Sequence, residues 1–254
     1  IASNYGLRPY PFYLGIGLSI VGLMMSWLVI KDTKHHVKLE SQSSTVPLLK
    51  NVFWETTWKH KNLGSITQAG LVNNLNDGMV WGLFPLLLAS KGFTLHERGI
   101  IVAAYPAVWS LGQLYTGKLA DKHCKKTLLF LGMFMQGLAL LGMIWANSFA
   151  WFIVLSSVLG IGTAIVYPTF LAAISDYTHP DQRPQSIGIF RLWRDLGYAF
   201  GAVLTGLIAD QFGLTAPVLA IGLLTVLSAI VVRYRMTCKP KAVTITNFNL
   251  STSH

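Results

Sequence analysis

Gly117-Lys118-Leu119-Ala120-Asp121-Lys122-His123-Cys124-Lys125-Lys126 separates two long apolar runs. Four lysines and an aspartate crowd into these ten residues, while 99–116 and 127–146 on either side carry no charge. A helix that crosses a bilayer needs about 20 mainly apolar residues. A short basic loop between two such runs belongs in the anionic interface of a membrane's inner face.

The whole chain repeats this pattern. Hydrophobic residues make up 52% of the 254 positions and charged residues 12%, with a mean hydropathy of +0.50. A soluble domain carries about a quarter charged residues, so much of this surface must face lipid. The net charge of +10 does not point to nucleic acid, because the basic residues lie between apolar runs rather than on one polar face. Seven stretches have the length of a span: 10–30, 63–90, 99–116, 127–146, 149–174, 187–209 and 213–234. The expectation is an all-α polytopic membrane protein of about seven transmembrane helices. Residues 31–62 are polar enough for a cytoplasmic linker, with a surface helix around Val52–Trp58, and 235–254 form a polar tail expected to be disordered. The chain opens at Ile1 and runs directly into an apolar helix without a signal peptide, which reads as a fragment.

Of the 20 Lys and Arg, only Arg8, Lys91 and Arg98 fall on one side when the seven helices alternate. The crowded side is the cytoplasmic one by the positive-inside rule, which puts the C-terminus there in a plasma (inner) membrane. Cys124 and Cys238 then both face a reducing compartment, where no disulfide is expected. Their spacing offers no metal site either, and no cofactor is implied. An internal echo links Thr116-Gly-Lys-Leu-Ala-Asp121 to Thr205-Gly-Leu-Ile-Ala-Asp210. The same signal at helix ends on opposite faces is what two inverted three-helix repeats would produce.

The Gly117–Lys126 loop resembles the G-x-x-x-D-[RK]-x-G-[RK]-[RK] signature of the major facilitator superfamily, with Gly117, Asp121, Lys122, Lys125 and Lys126 on its marked positions. Cys124 departs from it, standing where that family has Gly. Asp176–Arg183 looks like that fold's acidic-to-basic connector. The resemblance implies that 1–30 is the last helix of a missing N-terminal bundle, 31–62 the linker between halves, and 63–234 a six-helix transport bundle. The pattern is closest to the drug–proton antiporters. The partners implied are a small-molecule substrate, protons, the lipid bilayer and the missing half-transporter. Gly117 would permit close helix approach, and Asp121 would pair with a neighbouring helix N-terminus.

Polar residues inside the spans are the candidate site. Asp77 lies midway along the second helix in Asn73-Asn74-Leu75-Asn76-Asp77-Gly78. A carboxylate at the bilayer centre costs roughly 2.5–3.5 kcal/mol, so Asp77 should face the central cavity near mid-membrane, within reach of polar groups of the third or fifth helix. Asn73, Asp77 and Trp81 recur at i, i+4, i+8 on one face, and the asparagines with Gly78 and Pro85 should weaken the helix. The cluster binds substrate or protons, or else it is an interhelical hydrogen-bond network. Tyr105, Trp109 and Gln113 form a second stripe, and Thr163 with Tyr167 a shorter one; each suits an amphiphilic substrate or simple packing. Arg191 and Asp195, with Arg194 beside them, read as an interfacial ion pair or a gate. Pro85, Pro106 and Pro168 should kink helices, while Gly132, Gly137, Gly142 and Gly197-x-x-x-Gly201 read as close-packing faces.

Two functions compete. A secondary active transporter working by alternating access accounts for the linker and the signature. A seven-helix receptor allows the same count, but the chain lacks Asp-Arg-Tyr at a helix end and Asn-Pro-x-x-Tyr in the last helix. No catalytic Ser/His/Asp or metal cluster assembles at one depth, so an enzyme is not expected.

Overall fold

The computed structural model describes residues 10–29 and 34–238. These divide into two compact units at Ser44/Thr45. The first holds α1 (Tyr10–Val29), apolar throughout, and the short polar α2 (Lys34–Ser43). The expected disorder of the tail lies outside the described residues from 239 onward.

The second unit is all helix among its described residues, and each helix starts and stops for a local reason. Asn51 caps α3 (Val52–Trp54), accepting from the Trp54 N–H at 3.2 Å, and a π turn (Glu55–Lys59) continues it. His60 caps α4 (Lys61–Gly82), its Nδ1 accepting from the Leu63 N–H at 3.3 Å. Burial holds the His60 imidazole below its usual range, which keeps that nitrogen free to accept. Pro85 has no N–H and clashes with the preceding turn; accordingly α4 breaks at Leu83 and resumes as α5 (Phe84–Ser90). Gly92 turns the chain at φ +86°. Thr94 and Glu97 then form a reciprocal capping box at the start of α6 (Leu95–Lys122). The two Thr94 donors hold the Glu97 carboxyl below its usual range. Next comes α7 (Lys125–Trp145), then α8 (Phe149–Tyr177), capped by Ser148. The last pair, α9 (Arg183–Phe212) and α10 (Thr215–Arg235), is separated by Gly213 at φ +82°.

Four of the described helices are long and apolar enough to cross a membrane: α1, α7, α8 and α10. Long but more polar, α4, α6 and α9 fall outside that group. For α4 the polarity is internal, since Asn73, Asn74, Asn76 and Asp77 are all at most 2% exposed. The expected weakening of this helix by its asparagines does not occur, for α4 runs unbroken to Gly82. Their side chains bond across to neighbouring helices instead of competing for their own backbone.

Helix α4 is central, packed chiefly on α9 and α10, while α6 packs on α8, and α7 lies against both α8 and α10. Exchanging α4 with α8, α6 with α9 and α7 with α10 maps this set of neighbours onto itself. Two apolar clusters result, one around Met79, Phe84, Ile101 and Phe152, the other around Leu63, Leu129, Phe170 and Phe190. The polar residues of α4 lie where the two clusters meet.

Close backbone approach makes the α4–α9 contact. A Cβ on Gly201 would lie 2.5 Å from the Leu75 carbonyl oxygen, and one on Gly78 would lie 2.7 Å from that of Tyr198. Gly197 faces Leu71 in the same way, and Gly132, Gly137 and Gly142 face α8, α10 and Leu155 respectively.

Several expectations are corrected. A Cβ at Gly117 would meet no described atom within 4 Å, so that glycine is not at a close helix approach. Asp121 is exposed at the end of α6 and pairs with no described helix start. It is Lys125 of the same loop that forms an ion pair, 3.0 Å from Asp176. Asp195 pairs with adjacent Arg194 at 2.7 Å, not with Arg191. The expected linker is docked from Thr45 onward: the Leu49 N–H donates to Gln182 Oε1 at 2.8 Å, the Leu49 carbonyl accepts from Gln182 Nε2 at 3.1 Å, and Thr56 is fully buried. The tail begins equally well held, with Met236 buried and Thr237 accepting and donating to Asn62. Cys124 and Cys238 are joined in a disulfide, with Cα atoms 5.6 Å apart across a sequence separation of 114. Packing of α10 on α7 brings the α6–α7 turn beside the end of α10, a proximity that spacing alone does not reveal.

Two measurements check this packing. Gly201→Val should destabilise the bundle by about 1–3 kcal/mol through overpacking, read as a lowered melting midpoint in detergent. Gly206→Val should leave the midpoint unchanged, since a Cβ there meets nothing within 4 Å. Purified without reductant, the chain should take up no maleimide, and Cys238→Ser should expose Cys124 to one label. Labelling of both cysteines in the unreduced protein would mean the bond is absent.

Candidate functional site

Five helices, α6 to α10, send a polar group to the midpoint of α4. Tyr105 on α6 donates its hydroxyl to Asp77 Oδ1 and lies 3.3 Å from Thr163 Oγ1 on α8. Tyr167 on α8 and Tyr198 on α9 each reach Asp77 Oδ2 at 3.2 Å. The Asp77 carboxylate thus faces hydroxyls from three helices and is 2% exposed. It does reach the third and fifth helices as its burial requires, but it is enclosed by the bundle rather than open to a cavity. Burying an unpartnered carboxylate would cost several kcal/mol; the ring of hydroxyls is what makes this position tolerable.

Tyr167 has one hydroxyl proton and two acceptors. Besides Asp77 it reaches Asn74 Oδ1 at 2.9 Å. Whether that proton sits toward Asp77 or Asn74 depends on whether the carboxylate itself carries one. Tyr167 and Tyr198 are only partly buried, so the enclosed acid is connected through them to the surface of the bundle. Arg194 stands one turn before Tyr198 on the same face of α9, within electrostatic reach of Asp77, Tyr167 and Tyr198.

A second cluster lies on the other side of α4. Gln136 of α7 donates to Asn73 Oδ1 at 2.9 Å and accepts from Asn76 Nδ2 at 3.0 Å. Thr225 of α10 completes it with a 2.7 Å bond to Asn76 Oδ1. Asn73 also donates to Asn74 Oδ1 at 3.2 Å, joining the two clusters. These amides are paired among themselves and hold helices together; bonds of this type in membrane proteins contribute about 0.6 kcal/mol each.

The aromatic stripe divides. Trp109 stacks between Tyr105 and Tyr167, with ring centroids 6.0 and 4.9 Å away, and Trp81 lies 6.1 Å from Tyr105. Trp81 is 46% exposed, so it borders the cluster from outside. Gln113 is exposed and joins neither cluster. The structure therefore brings together Asn74, Asp77, Tyr105, Trp109 and Tyr167, links Asn73 and Asn76 to the adjoining Gln136–Thr225 network, and leaves Gln113 apart. The loop residues Gly117, Asp121, Lys122, Lys125 and Lys126 lie far along α6 and at the start of α7, away from this cluster.

Tyr198, Gln136 and Thr225 complete the clusters and are missed by stripe reading. None of the three has a polar or aromatic partner four residues on that would mark a stripe. The available signal was the need of four buried α4 side chains for partners. Two donors are still unmatched: Asn74 Nδ2 and Trp109 Nε1 are buried and have no hydrogen-bond partner among the described residues.

Comparison with known proteins agrees with this architecture. The sequence profile of the Major Facilitator Superfamily matches residues 66–249. An uncharacterized MFS-type transporter of Methanocaldococcus jannaschii is 28% identical over 189 residues, 72% of this chain and 45% of the relative. The fosmidomycin resistance protein of Escherichia coli is 26% identical over 153 residues, 59% and 37% of the two chains. The niacin transporter of Acinetobacter baylyi is 23% identical over 139 residues, 55% and 32%. The chain thus spans less than half the length of these curated relatives. With a profile match over most of its residues and an all-helical bundle built around a buried polar centre, the chain belongs to the Major Facilitator Superfamily of membrane transporters.

Proposed function

We propose that this chain is part of a secondary active transporter that moves a small molecule by alternating access, coupled to protons through Asp77. One observation carries the reading: a carboxylate at the centre of α4 whose hydroxyl partners come from α6, α8 and α9. A proton arriving on Asp77 removes an acceptor shared by three helices. Their mutual fit therefore depends on the protonation state, which is what a coupled conformational change requires. Antiport, implied by the likeness to drug–proton antiporters, is one direction of such coupling.

The surrounding assignments follow from this role. With α4 and α5 taken as one broken span, α4–α10 form a six-helix bundle of two inverted repeats, supported by the exchange that maps its helix neighbours onto themselves. Residues 1–30 supply the last helix of another bundle, making seven spans in this chain, and the segment to residue 62 connects the halves. The basic face lies in the cytoplasm of a cell whose plasma membrane holds the protein, with the C-terminus on that side. The Cys124–Cys238 bond then lies in a compartment where disulfides are uncommon.

Asp77→Asn keeps the shape of the side chain and removes its titration. In the intact protein it should insert normally, lose pH-gradient-driven transport by at least about tenfold, and retain substrate exchange. Unchanged gradient-driven transport would reduce Asp77 to a structural role. For orientation, a fluorescent protein fused after residue 254 should glow in cells and a fused alkaline phosphatase should be inactive; the reverse pattern would invert the topology.

A further inference from the structure

The unmatched groups beside Asp77 are all donors. Its carboxylate oxygens already accept from three hydroxyls, so they are matched within the protein. Asn74 is 1% exposed, yet its Nδ2 has no described partner, and neither has Trp109 Nε1. The two flank the same ring: Asn74 accepts from the Tyr167 hydroxyl at 2.9 Å, and the Trp109 ring lies 4.9 Å from that of Tyr167. A buried donor without an acceptor costs about 1–3 kcal/mol. Two of them at one aromatic corner mark a place where an acceptor is to be supplied.

The charge nearby has the matching sign. Arg194 lies one turn from Tyr198 with its side chain 22% exposed, and its neutralising neighbour Asp195 is 56% exposed. Arg194 Nε and Nη2 both meet Asp195 Oδ1, at 2.8 and 2.7 Å, and the guanidinium has further N–H donors in its planar fork. The walls of the corner are flat rings.

We infer that the substrate of this site is a small planar organic anion, its acceptor oxygens taken by Asn74 Nδ2 and Trp109 Nε1 and its charge met by Arg194. This rests on the transport reading above and narrows it to a class. It also separates roles that the sequence merges: Asp77 serves the proton, and its donor neighbours serve the substrate. The link between them is the Tyr167 hydroxyl, which touches both Asp77 and Asn74.

The test is equilibrium binding to the intact purified protein of three probes of similar shape: benzoate, its uncharged analogue benzamide, and the cation benzyltrimethylammonium. Benzoate should bind best. Trp109→Phe keeps the ring and removes the N–H, and should weaken benzoate at least about tenfold, as loss of a hydrogen bond to a charged group does. Arg194→Gln should weaken benzoate to a similar degree and leave benzamide unaffected. Asn74→Asp, which keeps the acceptor for Tyr167 and deletes the donor, should abolish benzoate binding while the protein elutes as wild type. Equal binding of benzamide, stronger binding of the cation, or no binding of benzoate overturns the anion assignment. If Trp109→Phe and Asn74→Asp weaken the cation instead, the site stands and the substrate class falls. If they alter no probe, the site itself falls.

Discussion

Four polar side chains on one helix, carried into an apolar interior, set the terms for the rest of the bundle. Asn73, Asn74, Asn76 and Asp77 are all at most 2% exposed, and water cannot satisfy them there. Each surrounding helix answers with a group at the right depth: Tyr105 from α6, Gln136 from α7, Tyr167 from α8, Tyr198 from α9 and Thr225 from α10. Apolar packing between helices in lipid has little preference for one register over another, because tails and side chains are equally apolar. Directional bonds to α4 supply that preference. The close α4–α9 approach at Gly78, Gly197 and Gly201 then brings Tyr198 within reach.

The same arrangement separates structure from function within one motif. The Asn73–Asn76–Gln136–Thr225 network is internally matched, and nothing in it awaits a ligand. The Asn74–Asp77–Tyr167 side is unevenly matched, with one hydroxyl shared between two acceptors and two donors unused. A buried polar group left without a partner calls for an explanation, and a single residue step along α4 divides the matched side from the unmatched one.

Helix positions were legible because composition and length suffice: every apolar run read from the sequence is helical, though the second is broken at Leu83 and α6 runs on to Lys122. Pro85 was legible as a break because its chemistry forbids the alternative. Asp77 was legible as buried and partnered because the cost of exposing it to lipid is large. The identity of its partners was legible in part. Tyr105 and Tyr167 stood in stripes, whereas Tyr198, alone in the Arg-rich start of α9, gave no periodic sign. What remained invisible were contacts between distant segments: the docking of 45–60 against α9, the anchoring of Thr237 to Asn62, and the Cys124–Cys238 bond. Side-chain type and spacing carry no record of which helix ends meet. The family signature was legible in its charges, but not in its geometry, since Gly117 packs against nothing and Asp121 stands exposed.

The bond between Cys124 and Cys238 turns part of the chain into a covalent ring that contains α7 to α10. Tyr167, Tyr198 and Arg194 are inside the ring; Asp77, Asn74, Tyr105 and Trp109 are on the strand that leads into it. The candidate site is therefore assembled across the ring's edge. A protease nick in the α7–α8 or α8–α9 turn would leave one molecule of unchanged mass apart from an added water, with all the residues of the site still tethered to each other. A nick in the α5–α6 turn would instead release the segment that bears the acid.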